Sequence, residues 1–78
     1  MDVEKKDGSM EAFDKNKIAK GCEKSGASAD VAKKVALAVS KKATDGISTI
    51  EIAEMVIAEL HKLDHKAAAS FEKYFRNH

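Results

Sequence analysis

Charged side chains cluster around a short turn near the start of the chain. Lys5 and Lys6 precede an Asp7-Gly8 dipeptide, and Glu11 and Lys17 follow it. Ammonium groups bind phosphate oxygens, and a carboxylate accepts hydrogen bonds from an amine or a ribose hydroxyl. These residue types suit the recognition of a nucleotide. The alternative is an ordinary solvated edge, where charges also protect a small sheet from aggregation.

The Asp7-Gly8 dipeptide is typical of a β-hairpin turn. A two-residue loop would place Glu4 opposite Glu11, and like charges that face each other destabilise a strand pair. A three-residue loop formed by residues 7–9 avoids this clash and is the preferred register. The expected pairs are Lys6 with Met10, Lys5 with Glu11, and Val3 with Phe13, which puts Val3, Lys5, Glu11 and Phe13 on one face.

Composition narrows the class of protein. The 78 residues carry a net charge of +1, which argues against broad electrostatic attraction to nucleic acid or a membrane. One cysteine excludes an internal disulfide and a zinc site made of several cysteines. No apolar run approaches the roughly 18 residues that would span a bilayer, and the start is unlike a signal peptide. We expect one cytoplasmic domain covering residues 1–78, with no membrane partner.

Apolar residues at helical spacing predict four helices, and cap residues delimit them. Ser48 and Glu51 have the spacing of a capping box, and Ile47 just before them is expected to add a short strand to the hairpin. Gly21 weakens the first helix by about 1 kcal/mol, which predicts a close neighbour there. The helices are expected at residues 15–24, from the Ser28 cap to before Asp45-Gly46, from Ser48 to about Lys62, and from Asp64 onward.

Residues that often catalyse reactions or bind metals are isolated in this sequence. Cys22 stands alone on an apolar face, which is typical of a structural cysteine. His61 and His65 have metal-binding spacing for a continuous helix, but a helix break is expected between them and no third ligand presents itself. Phosphate-binding loops of the Walker and dinucleotide types are absent. We therefore expect neither catalysis nor a bound metal.

Three observations favour a nucleotide site at the turn over a solvated edge. Lys5 and Glu11 share a face with two apolar residues of the hairpin. Lys17 and Ile18 lie one turn into a helix that the hairpin must cover. Thr49 is expected at a second helix start, where unpaired backbone N–H groups bind anions well. Together these residues offer cations for phosphates, apolar surfaces for a flat ring, and acids for an amine or a hydroxyl.

At these positions the sequence resembles the ATP-cone domain. That family regulates ribonucleotide reductases and also occurs in zinc-ribbon repressors of reductase genes and in some archaeal kinases. The resemblance covers nearly the whole chain, and its closing alanine-rich helix, residues 67–76, matches more loosely. The matching residues are Val3, Lys5, Lys6, Asp7, Gly8, Glu11, Phe13, Lys17, Ile18, Ile47, Ser48, Thr49, Glu51 and Ile52.

The resemblance implies an α+β fold, a four-helix bundle capped by a three-stranded mixed sheet that consists of the hairpin and one short strand. It implies ATP or dATP as ligand, with or without Mg²⁺. Lys5 and Lys6 would meet the phosphates, and Thr49 would lie near the ribose or phosphates. The remaining implied contacts are Glu11, Asp14 and Lys17 at the adenine edge, Val3, Phe13 and Ile18 against the base, and Arg76 closing the site from the last helix.

The implied function is that of a non-catalytic regulatory domain, in which a nucleotide controls association or a partner. That partner would be a second copy or a regulated protein acting in trans, and the near-neutral charge argues against nucleic acid. The alternative is a degenerate cone that serves as an interaction module without a ligand. Some family members carry a histidine where this chain has Ala53, which leaves its preference between ATP and dATP open. The absence of further cysteines besides Cys22 argues against a complete zinc-ribbon repressor.

Overall fold

Strand β1 (Asp2–Glu4) forms the centre of a three-stranded sheet in the computed structural model, which describes residues 1–77. It pairs antiparallel with β2 (Met10–Ala12) and parallel with β3 (Ile47–Ser48). The expected α+β fold, with a mixed sheet and a short strand at Ile47, is therefore confirmed. The four helices are α1 (Lys15–Lys24), α2 (Ala29–Lys42), α3 (Thr49–Leu63) and α4 (His65–Asn77).

The predicted hairpin register was wrong by two positions. Val3 pairs with Glu11 instead of Phe13, and Glu4 pairs with Met10. The three-residue loop is formed by residues 6–8, because Lys5 N–H donates to the Ser9 carbonyl over 2.8 Å. Loops of this length combine a type I turn with a final residue of positive φ, and Gly8 has a φ of 88°. The glycine must therefore end the loop, whereas the prediction put it in the middle.

The inward face of the hairpin was nevertheless predicted correctly. Side chains alternate between the two faces of a strand, so a shift of two positions leaves each residue on its own face. Val3 is buried in the core, and Glu11 and Phe13 are half-buried, whereas Lys5, the fourth residue predicted for this face, is exposed. The Ser9 hydroxyl and N–H both donate to the Asp7 carboxylate, which lowers the pKa of that carboxyl and fixes the turn.

Each predicted helix start carries the expected capping bond. The side chain of the cap accepts a hydrogen bond from a backbone N–H of the first turn, which would otherwise have no partner. Helix α2 ends at Lys42, slightly before the predicted Asp45-Gly46 stop. The bonds are Asn16 N–H to Asp14, Val31 N–H to Ser28, Glu51 N–H to Ser48, and Ala67 N–H to Asp64.

The hydrophobic core joins all four helices to the inner face of the sheet. Leu60 of α3 is fully buried at its centre, together with Val35 and Val39 of α2. Gly21 of α1 has the close neighbour that its position predicted, since a Cβ atom there would lie 3.4 Å from the ring of Phe71. Within residues 1–77, every helix is too short or too polar to cross a membrane.

A side-chain bond joins the start of α3 to the central strand. The Thr49 hydroxyl donates to the Glu4 carbonyl over 2.8 Å. We expect Thr49→Val to lower the free energy of unfolding by about 0.5–1.5 kcal/mol, because it removes this bond at nearly constant volume. Thr49→Ser keeps the hydroxyl and should retain most of the stability. Urea unfolding of both variants checks this, and equal losses would show that the hydroxyl contributes nothing.

Candidate functional site

An open groove of about 710 Å³ separates the hairpin and α1 from α3 and α4, and we call it the groove. Its size lies within the range of small-molecule sites. The lining side chains come from both hairpin strands and from three helices, so only the folded chain forms it. Eight of the ten residues proposed from the sequence line this groove: Val3, Lys6, Glu11, Phe13, Asp14, Lys17, Ile18 and Thr49.

A smaller concavity of about 210 Å³ lies between the hairpin turn and the start of α3. We call it the turn pocket, and it contains Lys5, a ninth residue proposed from the sequence. Its lining residues are Glu4, Lys5, Lys6, Gly8, Ser48, Thr49 and Ile50. Lys6 and Thr49 line both concavities, so the turn pocket adjoins the groove. One elongated ligand can therefore occupy an apolar region and a cationic region together.

Two ammonium groups flank the Glu11 carboxylate at the edge of the groove. Its Oε2 atom lies 3.8 Å from Lys5 Nζ and 3.7 Å from Lys17 Nζ. Both lysine side chains are at least half exposed, so these ion pairs are solvated and individually weak. A negatively charged ligand can therefore replace the carboxylate beside either lysine with little loss of free energy.

Lys6 extends from the turn towards the last helix. Its Nζ lies 5.5 Å from the centre of the Phe75 ring, a cation–π geometry. Phe75 also lines the groove. This contact connects the hairpin turn to α4 across the groove opening.

Arg76 lies apart from the other residues proposed from the sequence. Its guanidinium binds the Glu72 carboxylate of the same helix at 2.8 and 3.0 Å. It lines neither the groove nor the turn pocket. Ligand contact by Arg76 stays a prediction, and it would require the side chain to leave Glu72.

Two other proposed residues already have structural bonds. Asp14 caps α1 by accepting a hydrogen bond from Asn16 N–H over 2.9 Å. A carboxylate has further acceptor positions, so Asp14 can still face a ligand in the groove. Thr49 donates its only hydroxyl proton to Glu4, which leaves its oxygen as an acceptor for a ligand.

The aromatic residues of α4 were not among the site residues proposed from the sequence. Phe71 and Phe75 are only half-buried, Tyr74 is 65% exposed, and all three line the groove. Large aromatic surface beside an open cavity can bind a flat apolar ring. The sequence contained an indication of this role. Ala67 and Ala68 already form the buried face of α4, so the aromatic residues are not all needed there.

Cys22 is buried and lies outside the residues that line the groove. Burial raises the pKa of the Cys22 thiol to about 11, so it stays protonated and unreactive at neutral pH. Among residues 1–77, no group of three or more histidine, cysteine or acidic side chains is placed to hold a metal ion.

Fold and site together define a small α+β domain with an open groove beneath a cationic hairpin turn. Comparison with known proteins identifies its family, because the sequence pattern of the ATP cone domain matches residues 1–78. The chain belongs to the ATP-cone family, whose members are regulatory nucleotide-binding domains. This confirms the resemblance noted in the sequence.

Two curated relatives carry the same printed name, transcriptional repressor NrdR. The protein from Carboxydothermus hydrogenoformans is 34% identical over 82 aligned positions, which cover 95% of this chain and 53% of that protein. The protein from Thermotoga neapolitana is 35% identical over 83 positions, covering 96% and 53%. The chain thus spans about half the length of these relatives. The expectation that nucleic acid is not a partner is unsupported, because both relatives repress transcription by name.

Proposed function

We propose that this domain binds ATP or dATP, with the base in the groove and the phosphates at the turn pocket. The observation that carries the proposal is the adjacency of an aromatic groove and a cationic pocket that share Lys6 and Thr49. An adenine ring needs apolar surface and acceptors for its amine, and a triphosphate needs cations. The domain supplies binding and no chemistry, so it regulates without catalysis.

The proposed pose divides the site residues into three groups. Phosphates contact Lys5 and Lys6 beside the first turn of α3, where backbone N–H groups favour anions. The adenine amine donates to Glu11 or Asp14, with Lys17 nearby. The base packs between hairpin and α1 residues on one side and α4 aromatics on the other, these being Val3, Phe13, Ile18, Phe71 and Phe75.

Nucleotide titration tests the proposal directly. Saturating ATP or dATP should raise the free energy of unfolding, by about 2.7 kcal/mol at 100 times the dissociation constant. Thermal melts with ATP, dATP and GTP, each with Mg²⁺ and with a chelator, measure this shift and its dependence on base, sugar and metal. The absence of any shift at roughly millimolar ATP and dATP would refute the proposal.

Substitution of Glu11 distinguishes two possible roles of its carboxylate at the groove edge. If its carboxylate accepts from the adenine amine, Glu11→Ala removes a charge-assisted bond and weakens ATP binding about tenfold or more. If Glu11 merely neutralises Lys5 and Lys17, its removal frees two ammonium groups and strengthens binding. We expect weakening, measured by calorimetric titration of ATP. Glu54→Ala, an exposed acid on α3, is the matched control and should leave affinity unchanged.

We propose that nucleotide occupancy controls association with a second copy or with a regulated protein. A ligand that contacts the hairpin and α4 favours the conformation in which both approach the groove, and such coupling is worth about 1–3 kcal/mol. Since the relatives are repressors by name, we propose that the regulated process is transcription. We also propose that the domain acts in the cytoplasm. Residues 1–78 would act as one nucleotide-responsive unit in that role.

The degenerate alternative also has an observation in its favour. Lys5 and Lys17 already pair with Glu11, and Arg76 pairs with Glu72, so these three site cations have partners within the domain. A cone that has lost its ligand would keep such internal pairs and act as an interaction module. The nucleotide titration distinguishes the two functions, because only the binding domain is stabilised.

A further inference from the structure

The helix break between α3 and α4 brings two imidazole rings together. His61 lies in the last turn of α3 and His65 is the first residue of α4, and both are exposed. Their Nδ1 atoms are 2.9 Å apart. The expected break argued against a shared metal site, but in the fold it leaves the two Nδ1 atoms adjacent.

The geometry of the pair fits two neighbouring ligands of one metal ion. With metal–nitrogen distances of about 2.1 Å, a right angle at the metal places the nitrogens about 3.0 Å apart, whereas a tetrahedral angle needs about 3.4 Å. The ring centres are 4.7 Å apart and the ring planes are inclined by 51°. A straight N–H···N bond of this length would separate the ring centres by about 5.2 Å. The observed separation is shorter, so the two Nδ1 atoms point towards a common position beside the pair instead of directly at each other.

We propose that His61 and His65 bind one divalent transition metal ion of tetragonal preference, Cu²⁺ above all. Cu²⁺ prefers imidazole ligands at right angles and forms the strongest divalent complexes of the first-row series. The described residues offer no third side chain placed as a ligand, so water completes the coordination. The neighbouring Lys62 ammonium is bound to Glu59 over 3.0 Å, and Glu59 also pairs with Lys42.

Metal binding requires a simple proton rearrangement. In the metal-free pair one Nδ1 carries a proton and donates to the other, whereas both Nδ1 atoms must present lone pairs to a metal. Each neutral ring then carries its proton on Nε2, so two neutral imidazoles release no net proton. The ion would join the end of α3 to the start of α4, the helix whose later turns line the groove.

The test is a Cu²⁺ titration of the untagged 78-residue chain, followed by calorimetry and by electron paramagnetic resonance. We expect one ion per chain with two equatorial nitrogen ligands, and a rise in melting temperature. His61→Ala and His65→Ala should each weaken Cu²⁺ binding by about tenfold or more, because one imidazole no longer chelates. His78→Ala is the matched control and should bind as the parent does.

Several results with the variants and the spectrum would overturn the proposal. These are unchanged affinity in His61→Ala or His65→Ala, loss of binding in His78→Ala, or a spectrum with fewer than two nitrogen ligands. Since both histidines are exposed, their alanine variants should fold, and far-ultraviolet circular dichroism verifies this. If Cu²⁺ leaves the parent chain unaffected, the contact is a hydrogen bond between imidazoles and nothing more.

Discussion

Replacement of Leu60 by alanine is expected to destabilise the domain by about 2–5 kcal/mol, the largest stability effect of any single substitution considered. Leu60 lies near the end of α3 and is fully buried in the core, so its removal leaves a cavity among side chains that cannot collapse completely. A domain of this size has little stability to spare. Urea unfolding followed by circular dichroism should show a lower midpoint with a similar slope.

Leu63 provides the control for this prediction. It lies in the same helix as Leu60, but its side chain is 48% exposed. Leu63→Ala should change the free energy of unfolding by no more than about 0.5 kcal/mol, as is usual for surface positions. Equal losses in the two variants would show that Leu60 is not the packing centre of the core.

Replacement of both Lys5 and Lys6 by alanine is expected to produce the largest effect on ligand binding. Each ammonium group that contacts a phosphate contributes a charge-assisted bond worth about 1.5–3 kcal/mol. Removal of both groups should therefore lower the affinity for ATP about 100-fold or more. Lys5 lines the turn pocket and Lys6 lines both concavities. Calorimetric titration of ATP into the double variant measures the loss.

The matched control replaces Lys33 and Lys34, two adjacent exposed lysines of α2. This double variant has the same net charge as the Lys5 and Lys6 variant, but it leaves the turn unchanged. It should bind ATP within about twofold of the parent chain, since both groups lie outside the two concavities. Comparable losses in both double variants would mean that overall charge, rather than the turn pocket, attracts the nucleotide.

Local signals predicted the helices well. Asp14, Ser28, Ser48 and Asp64 each accept a hydrogen bond from the first turn of the helix that they begin. These bonds form between residues two or three positions apart, so the sequence alone contains both partners. The close neighbour expected at Gly21 is also present. A glycine inside a helix lowers its stability, and close packing against another element can offset that loss.

The hairpin shows where local reasoning fails. Asp7-Gly8 indicated a turn, but the exact loop depended on the requirement that the residue with positive φ come last. The prediction placed the loop one residue too late, which shifted every strand pair. The assignment of faces survived because that shift moves the pairing by two positions, the period of a strand.

The sequence by itself determined the secondary structure, the inward face of the hairpin and the family, because each depends on residue type and short spacing. Only the tertiary structure decided that Phe71 and Phe75 line an open groove. It also decided that His61 and His65 meet across a helix break. These contacts depend on the angles and distances at which helices pack, and residue spacing does not predict these quantities.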